Sequence, residues 1–186
     1  DNSKITLGMS GQLCERKNFK LFIEASKRFP QFNFVWIGGT VEAFDNLKNV
    51  YHIKYTNNPY KYFKQLLDYF ILFSQQDPCP YVILENILLG TPIITFKENI
   101  FYDHKHRLTE GFYFEYPDEI SLDNFIKAVG FYVKRKKSPE INNSGIRYIE
   151  KYFSYPSYIF QNIESRLNLP HKNRIRKEFI IKNFRS

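Results

Sequence analysis

Two carboxylates eight residues apart, Asp77 and Glu85, are the clearest candidates for chemistry in this chain. They lie in residues 74–94, whose pattern predicts a strand end, a proline-rich loop, a helix and another strand. Asp77 falls in the loop, and Glu85 falls about one turn inside the helix. A carboxylate at that depth can accept two hydrogen bonds from a ribose diol. The alternative is a solvated glutamate on an amphipathic helix, with Asp77 as a turn residue.

The start of the same helix is a candidate anion site. The first turn of a helix has free N–H groups and a partial positive charge, which suit a phosphate. Pro78 and Pro80 carry no N–H, so the available donors are the amides of Tyr81 and Val82. The first turn of this helix is therefore a candidate phosphate site beside Glu85.

The elements that must position these groups alternate apolar runs with amphipathic stretches. Strands are predicted over residues 5–9, 32–37, 50–53, 69–73, 92–96 and 112–114. Helices are predicted over residues 19–29, 41–47, 59–67, 81–89, 122–133, 141–152 and 155–167, with Gly90 as a C-cap. Continuously apolar strands that alternate with helices indicate a parallel, doubly wound α/β sheet. Ligands bind beyond the carboxyl ends of such strands, which singles out loops 10–18, 38–41, 54–58 and 74–81.

Charge is distributed unevenly along the 186 residues. Residues 1–130 hold 14 basic and 15 acidic side chains, whereas residues 131–186 hold 13 basic and 4 acidic ones. The formal net charge of +8 therefore belongs to the last segment. The segment is either a solvated helix face with a tail, or a surface for an anionic partner such as a membrane, a nucleic acid or another domain.

Composition narrows the class of protein. A hydrophobic fraction of 43% and a charged fraction of 25% are those of an ordinary globular domain, and they argue against disorder. The two cysteines, Cys14 and Cys79, fit a reducing compartment, and we expect both to pack rather than to react. We see no signal peptide, and the longest apolar stretch is interrupted by Glu85 and is too short to span a bilayer. The expected location is the cytoplasm, and peripheral attachment to a membrane is left open as an alternative.

Several segments together carry a resemblance to a known family. The string DPCPYVILENILLGTPII resembles the signature of retaining GT-B glycosyltransferases of the glycogen-synthase and sucrose-synthase-like type (group 1, family four). That signature has an acidic residue, seven residues, Glu and a Gly-x-Pro helix end. Residues 11–18 resemble the family's Gly-Arg-Leu…Lys-Gly loop, and residues 34–39 (FVWIGG) resemble its Val-Gly-Gly strand end. The resemblance covers residues 4–167.

The resemblance implies a fold and a division of the chain. The fold would be a Rossmann-like doubly wound parallel sheet with C-terminal helices, which is the donor-binding half of a GT-B enzyme. Residues 1–169 would form this nucleotide-sugar-binding domain, and residues 170–186 would be a basic tail. We expect the acceptor to be held by an N-terminal domain, so that the chain is one domain of a longer enzyme and inactive alone.

The resemblance also implies a role for each candidate residue. Asp77 would contact the donor sugar and organise its anomeric centre, while Arg16 and Lys17 would neutralise the leaving phosphate. Glu85 would bind the ribose, and the amides of Tyr81 and Val82 would hold the diphosphate. The remaining donor-binding positions implied are Gly11, Gln12, Gly38, Gly39, Ser74 and Pro80. The donor is expected to be a UDP-sugar, with a GDP-sugar next, bound without a metal or other cofactor.

Three positions depart from the family pattern. Gln12 stands where the family usually has Arg, which weakens or moves a phosphate contact. Asn18 replaces a glycine and Asn86 replaces an alanine. The loop 97–110 also lacks the common Gly-Gly-x-x-Glu run. These departures favour an alternative, in which the chain is a catalytically degenerate module that docks to an anionic surface or partner through its basic C-terminus.

Other interpretations of the function and of possible sites are less favoured by the sequence. An epimerase of the same fold is a further alternative, whereas a phosphorylase is not favoured because no pyridoxal-binding lysine motif is evident. His104 and His106 flank Lys105 beside Asp103, but the sequence offers no further ligands, so we expect no metal site. His52 lies in a predicted strand and is expected to be structural. The aromatic residues are spread over all helices, so nucleic acid is not an expected partner.

Overall fold

The structure is a computed structural model that describes residues 4–39, 44, 47–75, 77, 80–96, 113–116, 123 and 125. Its centre is a six-stranded sheet with the order β3-β2-β1-β4-β5-β6, in which every neighbouring pair is parallel. The strands are β1 (Thr6–Ser10), β2 (Asn33–Ile37), β3 (Val50–Ile53), β4 (Tyr69–Leu72), β5 (Ile93–Phe96) and β6 (Tyr113–Tyr116). This is the predicted doubly wound Rossmann-like α/β fold.

Three helices are described beside the sheet, namely α1 (Phe19–Arg28), α2 (Tyr60–Leu66) and α3 (Tyr81–Leu89), and a 3-10 turn spans Glu15–Lys17. All five residues of β2 and all four of β4 are buried, as expected for central strands covered on both faces. On α1, Phe22 and Ala25 recur on one face and are fully buried. The Phe22 ring packs edge-on against Phe34 and Trp36 of β2, at centroid distances of 5.6 and 5.0 Å.

The direction of strand order reverses between β1 and β4, and ligands bind at such a reversal in doubly wound sheets. Gly8 of β1 permits the close approach of the second half of the sheet. A Cβ placed on Gly8 would lie 2.3 Å from a methyl carbon of Leu67, the buried residue that ends α2. The space that a side chain at position 8 would need is therefore occupied by Leu67, which lies in the connection between α2 and β4.

The predicted element order is confirmed for the strands and helices in the described residues, and their bounds differ from the prediction by at most two positions. Of the predicted helix over residues 41–47 only Phe44 and Leu47 are described, and neither of them is helical. The helices over 141–152 and 155–167 and the boundary at residue 169 lie outside the described residues, while Asp123 and Phe125 of the helix over 122–133 are helical. None of the helices in the described ranges has the length and apolar character that crossing a membrane requires.

Candidate functional site

One carboxylate and two cations meet beyond the carboxyl ends of β1 and β4. Lys17 Nζ donates to Asp77 Oδ2 at 2.9 Å, and Arg16 Nη1 lies 3.1 Å from the same oxygen. The side chains of Lys17 and Asp77 are only 14% and 15% exposed, whereas that of Arg16 is 53% exposed. The structure thus brings together the three residues predicted to be catalytic. The cluster carries two positive charges and one negative charge at the expected edge of the sheet.

The loop of residues 11–18 after β1, called the cation loop below, holds Arg16 and Lys17 in place. Asn18, which ends the 3-10 turn, has a left-handed backbone with φ of 51° and donates its N–H to Glu15 O at 2.7 Å. Asparagine adopts this conformation more readily than most residues, so the departure from the family's glycine leaves the turn intact. Arg16 O accepts the N–H of Gln75 at 2.9 Å, which ties the β1 loop to the β4 loop.

Three glycines with positive φ form the floor beside this loop. Gly11, Gly38 and Gly39 have φ values of 138°, 110° and 74°. A Cβ on Gly38 would lie 2.8 Å from Gly11 O, and one on Gly39 would lie 2.9 Å from the Leu13 side chain. The stem of Lys17 lies over Gly11, where a Cβ would come within 3.2 Å of Lys17 Cε. Contacts between the loops already require these glycines, so their predicted contacts with a donor stay predictions.

Hydrogen bonds from two strands fix the glycine floor. Gly11 N–H donates to Ile37 O at 2.9 Å, and Gly38 N–H donates to Ile53 O at 2.8 Å. The indole N–H of Trp36 donates to Gly11 O at 3.1 Å, and the imidazole Nε2–H of His52 donates to Gly38 O at 2.8 Å. His52 therefore has the structural role expected of it, and the ends of β1, β2 and β3 form one bonded surface.

The helix α3 begins at Tyr81, four positions after Asp77. Pro80 precedes the helix with an extended backbone and provides no side-chain cap. Ile83 N–H donates to Pro80 O at 2.9 Å, which leaves the Tyr81 and Val82 amides as the first-turn donors without an intrahelical acceptor. The Tyr81 side chain is 67% exposed. The helix ends, as predicted, at Gly90 in the left-handed conformation.

Glu85 has a partner that the sequence did not reveal. The hydroxyl of Tyr60, the first residue of α2, donates to Glu85 Oε1 at 2.9 Å. Tyr60 is 4% exposed, and Glu85 is half-buried on the neighbouring helix. The two residues are 25 positions apart and belong to different helices, so no local spacing in the sequence could signal the pair.

Two buried polar atoms near the site have no hydrogen-bond partner within the described part of the chain. One is the hydroxyl of Ser74, which is 7% exposed and lies just beyond β4. The other is Oδ1 of Asn86, which is fully buried, while its Nδ2 donates to Val82 O at 2.8 Å. Ser74 is one of the predicted donor-binding residues, and Asn86 is the residue that replaces the family's alanine.

The other candidate features are less informative. An open cavity of about 420 Å³ is lined by Leu13, Cys14, Glu15, Asn18, Phe19, Lys20 and Gln75, so it lies beside the cation loop and not over the carboxylate. Cys14 is exposed, so the expectation that it packs inside is wrong. Gln12 is also exposed. Within the described ranges no group of His, Cys, Asp or Glu could hold a metal. The residues 103–106 and Cys79 lie outside those ranges.

The fold of the chain is that of solved glycosyltransferases. HepE from Anabaena, in complex with UDP and glucose, is 15% identical with a TM-score of 0.63, over 89% of this chain and 48% of that chain. A TarM variant from S. aureus, in complex with UDP among other ligands, is 17% identical with a TM-score of 0.64, over 89% and 36%. The C-terminal domain of LpcC, a glycosyl transferase group 1 family protein from Francisella tularensis, is 16% identical with a TM-score of 0.56, over 80% and 86%.

This chain spans about half the length of the HepE structure. None of the curated proteins compared with the chain matches it. The family model described as "Glycosyl transferases group 1" matches residues 1–129, which include every candidate site residue. The chain therefore belongs to the group 1 glycosyltransferase family.

Proposed function

We propose that this chain binds a nucleotide-diphosphate sugar for retaining transfer of the sugar to an acceptor. A UDP-sugar is the first candidate and a GDP-sugar the second. The observation that carries the proposal is the cluster of Arg16, Lys17 and Asp77 beside the uncapped start of α3. The UDP in the HepE and TarM structures supports the choice of nucleotide.

The diphosphate is proposed to replace part of the contact between Asp77 and the two cations. Lys17 has three N–H donors, so it can bridge Asp77 and a phosphate at once. The first-turn amides of Tyr81 and Val82 add two uncharged donors and the positive end of the helix dipole. These groups stabilise the charge that develops on the leaving diphosphate, and such stabilisation is often the largest catalytic contribution. No metal is required for this role.

Asp77 is proposed to act on the donor sugar. Its ion pairs hold the carboxylate at the carboxyl edge of the sheet, where the sugar of a diphosphate bound at α3 would lie. A carboxylate there can stabilise positive charge at the anomeric carbon as the bond to the diphosphate breaks. Glu85, one turn inside α3, is proposed to accept hydrogen bonds from the ribose hydroxyls.

The acceptor is proposed to be held by an N-terminal domain of the same full-length protein. The high coverage of the LpcC C-terminal domain, against about half of HepE, supports this division. The chain alone would then bind donor without transferring sugar. A cytoplasmic location at a membrane surface is part of the proposal, since residues 131–186 carry 13 basic and 4 acidic side chains.

The test is thermal unfolding of the chain with UDP-, GDP- and ADP-sugars. A ligand at 100 times its Kd adds ~2.7 kcal/mol to the stability of the folded state. In a chain of this size that corresponds to a rise in Tm of ~5–10 °C. Glu85→Gln should weaken binding by ~10–150-fold, which corresponds to a charged hydrogen bond of ~1.5–3 kcal/mol.

Glu24→Gln is the matched control, because Glu24 is exposed on α1 and has no proposed role. It should bind the nucleotide sugar as the wild type does. The proposal fails if none of the nucleotide sugars raises the Tm, or if the Glu85→Gln variant responds as strongly as the wild type.

A degenerate binding module is a second candidate. It is favoured by the exposed Gln12 at the family's arginine position and by the internal neutralisation of Lys17 by Asp77. Such a module would bind anionic vesicles through its basic segment, with an affinity that falls steeply with salt. Vesicle binding together with no response to any nucleotide sugar would favour this candidate.

A further inference from the structure

We propose that Tyr60 is a positioning residue for Glu85, acting through its hydroxyl to hold the carboxylate ready for a ribose diol. This proposal rests on the proposed role of Glu85 in donor binding. It assigns a function to a side chain on α2, a helix that otherwise contributes nothing to the site described above. The observation behind it is the hydrogen bond of 2.9 Å from Tyr60 to Glu85 Oε1.

The Tyr60 ring is fixed by its surroundings. It is 4% exposed and packs edge-on against Phe63, with ring centroids 6.2 Å apart. Phe63 packs in turn against Phe70 of β4 at 5.3 Å, and its carbonyl accepts the Thr91 hydroxyl at 3.1 Å. A tyrosine that is locked in this way presents its O–H at one fixed point, so its hydroxyl can select one orientation of a flexible glutamate.

The hydrogen bond from Tyr60 uses one acceptor site of Glu85. A carboxylate has two oxygens with about four lone-pair sites, so the Tyr60 O–H by itself does not saturate the group. A bond to Oε1 restricts the glutamate rotamers before the nucleotide arrives, which lowers the entropy cost of binding. Two hydroxyls of a diol can then meet a carboxylate that already has its bound orientation.

A purely structural tie between α2 and α3 is the competing explanation. The Thr91 hydroxyl, two residues beyond the end of α3, already donates to the carbonyl of Phe63 on α2, and Phe63 also packs on Phe70 of β4. A half-buried carboxylate is a poor choice for a second structural contact between the helices, because its charge loses part of its hydration on folding and this costs free energy. The two explanations differ in one measurable respect. Positioning affects only ligands that carry the ribose hydroxyls, whereas a structural tie affects all nucleotides alike.

The experiment compares UDP with 2′,3′-dideoxy-UDP by calorimetric titration of the full chain, in the wild type and in the Tyr60→Phe variant. Phenylalanine keeps the ring and its packing and removes only the hydroxyl. We expect the variant to bind UDP about 3–10-fold more weakly and to bind the dideoxy nucleotide as the wild type does. Tyr62→Phe is the matched control, since it removes the same oxygen two residues along α2 and should leave both affinities unchanged.

A double-mutant cycle with Glu85→Gln tests whether Tyr60 acts through the carboxylate. On the Glu85→Gln background, Tyr60→Phe should change UDP affinity less than about 2-fold. An equal loss for both nucleotides, or an unchanged preference for UDP in Tyr60→Phe, overturns the role of Tyr60 and leaves the proposed function standing. A wild type that binds the hydroxyl and dideoxy forms of UDP, GDP and ADP equally, or binds none of them, overturns the ribose role of Glu85 and therefore the proposed function as well.

Discussion

Replacing Asp77 with asparagine should lower the stability of the domain measured without nucleotide and raise its affinity for UDP. The substitution keeps the shape of the side chain and removes its charge. Asp77 Oδ2 lies 2.9 Å from Lys17 Nζ and 3.1 Å from Arg16 Nη1, so one carboxylate contacts both cations that a diphosphate would use. If the carboxylate competes with the diphosphate for these cations, Asp77→Asn should therefore decrease folding stability and increase UDP affinity.

The exposure of each side chain sets the size of the two effects. Lys17 and Asp77 are 14% and 15% exposed, so loss of their charged hydrogen bond should cost ~1.5–3 kcal/mol of folding stability. Arg16 is 53% exposed, so its pair adds at most ~1 kcal/mol. A carboxylate and a phosphate that share one ammonium lie ~5 Å apart, where their repulsion is ~0.8 kcal/mol in water and ~3 kcal/mol at an effective dielectric constant of 20. We therefore expect UDP to bind about 10-fold more tightly, or ~1.4 kcal/mol.

The assay is urea unfolding for stability and calorimetric titration with UDP for affinity, each at low and high salt. Asp68→Asn is the matched control, because Asp68 lies at the opposite end of β4 and its carboxylate accepts the N–H of Thr6 at 2.8 Å. That control should lose stability and keep its UDP affinity. Weaker UDP binding by Asp77→Asn would refute the reasoning, because it would mean that the carboxylate helps to hold the nucleotide and does not compete with it.

Three further predictions concern the scaffold of the site. Asn86→Ala should stabilise the domain by ~1 kcal/mol in urea unfolding, because it removes a buried amide oxygen that has no partner in the described part of the chain. Gly38→Ala should destabilise it by ~2–4 kcal/mol, because φ is 110° and the new Cβ would press on Gly11 O; an unchanged midpoint would contradict the packing of the two loops. Burial, with the nearby acidic charge of Asp68 second, raises the pKa of Tyr69 from 10.0 to about 12. From pH ~10 to ~12 the unfolded chain loses this proton while the folded chain keeps it, so stability should fall by up to ~1.4 kcal/mol per pH unit from this group, and Tyr69→Phe should lack that part of the fall.

The order and bounds of the described elements were predictable because local patterns determine them. A continuously apolar run such as β4 must be buried away from water, which makes it a central strand. Gly90 ends α3 in the left-handed conformation that glycine favours. The candidate loops were predictable for a more general reason, since ligands of doubly wound sheets lie beyond the carboxyl ends of the strands.

The partners of the site residues were not predictable in the same way. Lys17 and Asp77 are 60 positions apart, and Tyr60 and Glu85 are 25 apart, so only the packing of the strands and helices decides that they meet. The burial of Asn86 was hidden because α3 is apolar on nearly every side, and such a helix gives no clue to its inward face. The resemblance to the family supplied the roles of these residues, but it contained no information on their neighbours.

The pairing of β1 with two partners has a consequence for the order in which the molecule folds. The pairing of Thr6 with Asn33 of β2 closes a loop of moderate length. The pairing of Leu7 with Tyr69 of β4 closes a loop more than twice as long. Closing the longer loop costs more chain entropy, so contacts between β1 and β4 should form late. The cation loop and the glycine floor belong to the early half of the sheet, and the carboxylate arrives only with the late half. A chain in which β4 has not yet joined β1 would present an unneutralised Lys17, so the completed ion pair reports that the two halves of the sheet have joined.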